Sequence, residues 1–381
     1  MRDAALAMRL DARVVRAAHP VVVPLLAFAR ASVLRLPGIG VLVQDTELAR
    51  EVLSDSERFT KNGPGASSEL WTPVLGERVL LNMHGDDHRR MRRTLQPIFA
   101  PAFVRPLVDA MIRPRWEAAV RSLEAGERVD LAKLTRETAS DAIASLVGLD
   151  RGAVTEQMFV DVTRITGMVK LSKPRLRRSQ IAEAQRLLHG LTQHAHAAYA
   201  GDESTVPGRM RALGLSEREA LGAVGAFILT GTETLAGAIP RIAAMLIDAD
   251  YLREMTDGNT ESAIGESLRW TTPSLATLRS SLTDTSIGAV RVQRGERIVI
   301  ATYKANRQSG AWNPEAGTSR GLKQLWFGAG EHFCIGAPLA MTQIRTAVDA
   351  LRAAGPLRIA SRAPVRRTLI PAYRSLIVER Q

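Results

Sequence analysis

The sequence predicts a mainly α-helical domain carrying small β-sheets, and three observations support that fold class. Apolar residues recur at three- and four-residue spacing through most of the chain. Short β-branched runs broken by glycine or proline occur at two late positions, "SIGAVRVQRGERIVIATY" and "TLIPAYRSLIVE". No repeat, low-complexity tract or linker divides the 381 residues, so residues 1–381 read as one domain.

From the amino terminus, Met1–Ala18 is charged throughout and Pro20–Ala29 is apolar for only ten residues. That run is too short to span a bilayer and lacks the pattern of a secretory signal. The expectation is therefore a cytoplasmic protein without a transmembrane anchor, with Asp11–Arg35 available to lie against a membrane or near a substrate entrance. Helices are predicted over Arg89–Pro97, Arg113–Leu123, Leu131–Val147 (ending near Gly148) and Ala184–Ala200. "KPRLRR", Lys173–Arg178, reads as a basic loop or helix start. Ser216 with Glu219 forms a capping box that opens the longest predicted helix, running to about Ile247 and interrupted in character by "TGTET" and Pro240. Asp250–Met255, Glu261–Trp270 and Ile335–Ala350 are further helices, the runs on either side of Gly295 read as a hairpin or small sheet, and Ala301–Arg320 is irregular.

Composition excludes several functions. A chain 45% hydrophobic can bury a large core, and its single cysteine, Cys334, rules out an intramolecular disulfide framework and multi-cysteine metal sites. The charge of +12 comes from 51 Lys and Arg against 39 Asp and Glu, with clusters at Arg89–Arg93 and Lys173–Arg178. Aromatics are only 4%, with neither zinc-finger spacing nor a basic patch interleaved with stacking rings, so no nucleic-acid partner is predicted. An acidic protein or an anionic cofactor accounts for the charge equally well.

Cys334 sits in "WFGAGEHFCIGAPLA", just before a predicted helix. Helix-terminal N–H groups favour a thiolate there, and Gly328 and Gly330 let the preceding loop fold tightly around the sulfur. A nucleophile and a thiolate ligand to haem iron both fit, but no local partner for nucleophilic catalysis is present. The segment Phe327–Gly336, "FGAGEHFCIG", resembles the haem-ligand loop of the cytochromes P450. Three more segments follow the same family in the same order. "GESLRW" resembles its Glu-x-x-Arg signature, which implies that Glu266 and Arg269 brace the proximal side of the haem; without that likeness they would read as an exposed ion pair worth little. "HGDDHRRMRR" resembles its His-x-x-x-Arg helix, and "TTPSLATLR" its strand entry. The resemblance implies that His88, Arg92, Arg279 and His332 bind the haem carboxylates and that Phe327, Gly328 and Gly336 flank the ring. Cys334 would be the iron ligand.

"FILTGTETLAG" resembles the family's oxygen-activating helix segment. The likeness implies that Gly231 thins the helix, that Thr234 holds water or the activated oxygen, and that Glu233 relays protons; otherwise Thr230, Thr232 and Thr234 are ordinary helix threonines bonded to their own backbone. Thr230 stands where the family has a small apolar residue. The stretch "AWNPEAGTSRGLKQLWFG" keeps Trp312, Pro314 and Arg320 but is short and lacks the usual phenylalanine and second proline. That departure bears on the proximal face, where Arg89, Arg90, Arg93 and Lys323 would supply a basic patch.

The resemblance implies a mainly α cytochrome P450 fold with heme b (iron protoporphyrin IX) between a long central helix and the cysteine loop. The implied activity is a dioxygen-dependent monooxygenase, hydroxylating or epoxidising a mainly hydrophobic small molecule. No flavin or iron–sulfur domain is evident in the 381 residues, so electrons are expected from a separate ferredoxin and ferredoxin reductase. The alternatives are peroxide-driven oxidation, desaturation or oxidative coupling on the same fold, a non-catalytic haem or ligand carrier, and, most distantly, a cysteine hydrolase. Family position implies pocket contributions from Gly63–Val79, Phe227–Thr230, Ser274–Thr277 and Ile370–Ala372. Leu70, Val74, Phe227, Leu275 and Ile370 would make an apolar wall, with Thr230 and Thr272 as polar contacts, suited to a natural product, terpenoid, steroid or fatty acyl chain.

Overall fold

A single helix, Glu217–Asp248, runs through the middle of the molecule in the computed structural model, which describes residues 2–149, 156–169, 175–315 and 324–381. Its capping box forms as the sequence predicts: the Ser216 hydroxyl accepts from the Glu219 amide, and the Glu219 carboxylate accepts from the Ser216 amide at 2.8 Å. Neither the threonine-rich segment nor Pro240 interrupts it. An internal proline costs about 3 kcal/mol, but the flanking Leu235, Ile239, Ile242, Met245 and Leu246 are buried, and each full burial contributes about 1.5–3 kcal/mol. Packing wins. Among the described residues it is the only helix long and apolar enough to cross a membrane, and most of it is enclosed by the rest of the protein.

The helix Leu131–Val147 lies along it, capped by the Asp130 carboxylate accepting from the Ala132 amide at 2.9 Å. Pro101–Met111, Arg113–Glu124 and Ala337–Ala353 pack around these two and complete the main core. A second, smaller core lies beneath a five-stranded sheet of order Val33–Leu36, Gly40–Val43, Arg297–Ile300, Thr277–Ser281 and Phe59–Thr60. The Gly40–Val43 and Arg297–Ile300 strands pair in parallel, and the other neighbours are antiparallel. Leu357–Pro364, Tyr373–Arg380 and Val129–Asp130 form a second sheet, and Thr285–Ile287 with Val290–Val292 a two-stranded one.

Several expectations are corrected here. Strands are not confined to the two late positions: "VLRL" and "GVLV" pair early, because their partner strand is supplied from Arg297–Ile300. The tight hairpin turns at Gly288 and not at Gly295. The expected helix Ala184–Ala200 is instead Arg178–Thr192, a 3-10 turn and a short helix His196–Ala200. Asp250–Met255 is reduced to a 3-10 turn, Tyr251–Arg253, because Asp250 takes a left-handed conformation. The His88 helix begins earlier, at Gly85, and the helix after the cysteine starts at Ala337. Lys173, Arg320 and Lys323 lie outside the described residues.

The amino-terminal helix Arg2–Ala18 is also corrected. Asp11 does not face a membrane; its carboxylate is buried and accepts from Arg241 Nε at 2.7 Å, Arg241 Nη2 at 3.0 Å and Arg307 Nη2 at 3.2 Å. Removing one partner of a buried pair strands the other charge, at about 3–5 kcal/mol. Asp11→Ala is therefore expected to lower the unfolding free energy by that amount, read from the denaturant midpoint. A loss below about 1 kcal/mol, the level of an exposed pair, would show that the cluster does not hold the helix.

Candidate active site

Between the long helix and the loop preceding Ala337–Ala353 lies a cavity of about 360 Å³. Its floor is built from the loop around Cys334. The Cys334 amide donates to the Phe327 carbonyl at 2.9 Å, the Phe333 amide to the Gly330 carbonyl at 3.0 Å, and the Phe327 and Phe333 rings meet edge to face at 6.1 Å. Gly330 has φ +68°, and a Cβ there would sit 2.6 Å from the Leu53 carbonyl oxygen, so only glycine lets the loop lie this close to the helix Thr46–Ser54.

The Cys334 side chain is open to a water-sized sphere, yet protein surrounds it, because that open space is the cavity itself. Burial pushes the thiol pKa up; the amides of Gly336 and Ala337 and the cations Lys61 and Arg92 oppose this without overcoming it. The helix terminus therefore does not by itself produce the thiolate expected from the sequence. A cationic centre at the sulfur would.

One side of the cavity is basic. His88 and Arg92 come from Gly85–Leu95, Arg279 from Thr277–Ser281, and His332 from the cysteine loop. His88 and His332 stand with ring centroids 4.1 Å apart, and His88 Nδ1 and both His332 ring nitrogens are buried without a hydrogen-bond partner. Burial, aided by Lys61 and Arg92, lowers the His88 pKa to about 4 and depresses that of His332 strongly. Burial lowers Arg279 to about 10 and also depresses Arg92. A fifth member went unnoticed in the sequence: Lys61 lines the same wall, and burial beside Arg279 lowers its pKa to about 7. Its signal was the strand period, since Lys61 follows the buried Phe59 by two positions. Among the described residues, no carboxylate lines the cavity.

The roof carries Thr230, Gly231 and Thr234 but not Glu233. Two positions on from Gly231, Glu233 is turned about 200° around the helix. Its carboxylate accepts from Thr163 Oγ1 at 3.0 Å and Thr166 Oγ1 at 3.4 Å on Glu156–Met168, and burial raises its pKa. The Thr234 hydroxyl donates to the Thr230 carbonyl at 2.7 Å, and Thr230 and Thr232 bond back in the same way. The acid and the alcohol thus do not face the cavity together. Gly231 lines the cavity, and a Cβ there would also collide with Ile143 Cδ1 on Leu131–Val147, so its bareness leaves room for a side chain of the neighbouring helix.

Glu266 and Arg269 form a buried brace and not an exposed pair. Arg269 Nε donates to Glu266 Oε2 at 2.7 Å, Arg269 Nη1 to the Asn306 carbonyl at 2.7 Å, and Glu266 Oε1 accepts from the Asn313 amide at 2.8 Å. The pair fixes the chain on the approach to the cysteine loop. Of the expected pocket residues, Phe227, Thr230, Ser274, Thr277 and Val79 line the cavity; Leu70, Val74, Leu275 and Ile370 are buried but do not, and Thr272 is bonded inside its own helix end. Phe99, Ile143 and Met210 line it instead, from helices whose approach no local pattern reveals, with Phe99 stacked on Phe227 at 5.2 Å.

Gly231→Ala is expected to destabilise the protein by about 1–3 kcal/mol, the range for overpacking, as judged by denaturant unfolding. Adding Ile143→Val should recover part of the loss. No recovery would place the strain elsewhere.

The family model described as cytochrome P450 matches residues 259–351. A C-19 steroid 1alpha-hydroxylase of Sorangium cellulosum (strain So ce56) is 28% identical over 335 residues, covering 83% of this chain and 84% of that protein. Linalool 8-monooxygenase of Pseudomonas putida is 25% identical over 327 residues, covering 80% and 79%. The crystal structure of CalO2 superposes with a TM-score of 0.78 at 23% identity, covering 95% of this chain and 96% of that one, a likeness of fold.

Proposed function

We propose that this chain is a member of the cytochrome P450 family, whose model matches residues 259–351, and that residues 1–381 act as one domain that binds heme b in the described cavity and oxidises a hydrophobic small molecule. The observation carrying this is the joint placement of Cys334 and five nitrogen bases on one apolar cavity whose described lining holds no carboxylate. The donor set fits the cofactor: a thiol at the floor for iron, and Lys61, His88, Arg92, Arg279 and His332 for two carboxylates. When bound through a thiolate, such a haem would supply dioxygen activation, in which two electrons and two protons are consumed, one oxygen atom goes to the substrate and the other leaves as water.

The chain's own residues would then bind, exclude water and move protons. Cys334 would hold the iron as a thiolate, and Phe327, Gly328 and Gly336, which line the cavity with it, would flank the ring. Phe227, Phe99 and Ile143 would keep the substrate space dry, and Thr230 would offer it a polar contact. The raised pKa of Glu233 suits it to donate a proton. To do so, Glu233 has to rotate away from Thr163 and Thr166, and the Thr234 hydroxyl has to leave the Thr230 carbonyl.

Electrons come from an external redox partner, for which a ferredoxin with its reductase is the proposed form. Arg89, Arg90 and Arg93 are exposed on the His88 helix and suit an acidic donor, although Arg89 is paired with Asp86 and Arg90 with Asp87. The relatives named for steroid and linalool oxidation support an apolar substrate, and the absence of an exposed membrane-length helix among the described residues supports a cytoplasmic site of action.

Reduction with dithionite under carbon monoxide is expected to give the strongly red-shifted Soret band of a thiolate haem, lost in Cys334→Ala. A wild-type protein that takes up no haem would overturn the assignment. Lys61 yields a separate expectation. With its pKa near 7 it is mostly neutral above that in haem-free protein, and two carboxylates raise it again. Haem binding at about pH 8 therefore takes up close to one more proton in wild type than in Lys61→Met, and affinity falls as pH rises through this range. Calorimetry in two buffers of different ionisation enthalpy measures that difference. Equal proton uptake would remove Lys61 from the carboxylate site.

A further inference from the structure

Beside the basic wall, three side chains meet that no haem role uses in full: His84, the residue just before the Gly85–Leu95 helix, and Glu331 and His332 in the turn before the cysteine. Glu331 Oε1 lies 3.3 Å from His84 Nδ1 and 3.3 Å from His332 Nε2. Neither approach is a hydrogen bond, and Glu331 Oε1, His84 Nδ1 and both His332 ring nitrogens are buried without a partner. The His332 side chain is only 4% exposed.

The surroundings hold the three in this arrangement. His84 Nε2 lies 3.0 Å from the Ser56 carbonyl oxygen. A carbonyl only accepts, so Nε2 carries the proton and Nδ1 is the lone-pair nitrogen of the neutral ring. Arg89 Nη1 donates to Glu331 Oε2 at 3.1 Å, which turns Oε1 toward the histidines. The His84 Nδ1 lone pair, the Glu331 carboxylate oxygen and the unpartnered His332 Nε2 thus converge, and positive charge between them would satisfy all three. Two ligands about 2.1 Å from a tetrahedral ion sit about 3.4 Å apart, which matches the two observed 3.3 Å separations. All three ligand atoms lie within 4.8 Å of one another.

We propose that His84 Nδ1, Glu331 Oε1 and His332 Nε2 form a three-ligand site for a zinc-type divalent cation, distinct from the iron site. Two imidazoles and a carboxylate with a fourth position left for water are a recognised zinc donor set, and the outer partners, Ser56 and Arg89, orient two of the ligands. The cations Arg89, Arg92, Lys61 and Arg279 lie nearby and oppose the ion, so the site favours a metal held by strong imidazole bonds over calcium or magnesium. The ion would tie the start of the His88 helix to the cysteine loop, while His332 Nδ1 stays available to the haem.

Zinc titration of the untagged holoenzyme by calorimetry tests this. One saturable site of micromolar or tighter affinity is expected, weakened at least about tenfold in both His84→Ala and Glu331→Gln. Zinc should raise the thermal midpoint of wild type and not of His84→Ala. The carbon monoxide spectrum of each variant, expected unchanged, reports haem loading independently of metal, so a failed haem assignment and a failed metal site are distinguishable. Zinc binding equal in wild type and His84→Ala would assign the metal to exposed histidines and overturn the proposal. No saturable binding to the holoenzyme would overturn it as well, leaving a proton on each imidazole in place of the ion.

Discussion

Lys61, Arg92 and Arg279 converge on an apolar cavity whose described lining contains no carboxylate, and buried charge without a partner is among the least favourable arrangements a fold can contain. Burial lowers the pKa of all three, and His88 and His332 join them with unpartnered ring nitrogens. The apoprotein offers little compensation, since Glu331 and Cys334 oppose these shifts without overcoming them. An anionic occupant does, and the fold reads as a frame that keeps these groups dry, close and waiting for it.

Two buried ion pairs supply much of that frame's rigidity at a distance from the cavity. Glu266 with Arg269 clamps the backbone at Asn306 and Asn313, which fixes the approach to the cysteine loop. Arg241, on the long helix, is fully buried; it holds Asp11 and also donates to the Thr271 carbonyl at 2.7 Å, so one guanidinium ties the first helix to the end of the Glu266 helix. Replacing such pairs by apolar residues is often neutral for stability. What they add here is register: each guanidinium meets several acceptors that only one arrangement of the chain brings together.

The sequence revealed the parts whose chemistry is local. Cys334 among its glycines, Glu266 and Arg269 three apart, and His88 and Arg92 four apart were all legible, because fixed spacing on one element places side chains on one face. Lys61 was missed because its role depends on a strand edge meeting a loop from the far end of the chain. The orientation of Glu233 was misread because it is decided by Thr163 and Thr166 on a helix that no local pattern assigns to that face. Gly231 does line the cavity, but that it also faces Ile143 across the roof could not be read from its own segment. The early hairpin Val33–Val43 was hidden for the same reason as Lys61: its stabilising partner is about two-thirds of the chain away.

That separation also bears on how the molecule is made. The helix containing Asp11 leaves the ribosome well before Arg241 and Arg307, the groups that satisfy it, which follow 230 and 296 residues later. At synthesis rates of about 5–20 residues per second, the carboxylate stays solvated for many seconds while most of the chain is still to come. The first helix therefore docks among the last, so final closure of the core is a late event of high contact order. During that interval its apolar face, including Val14 and Val15, is open to chaperones and to other nascent chains.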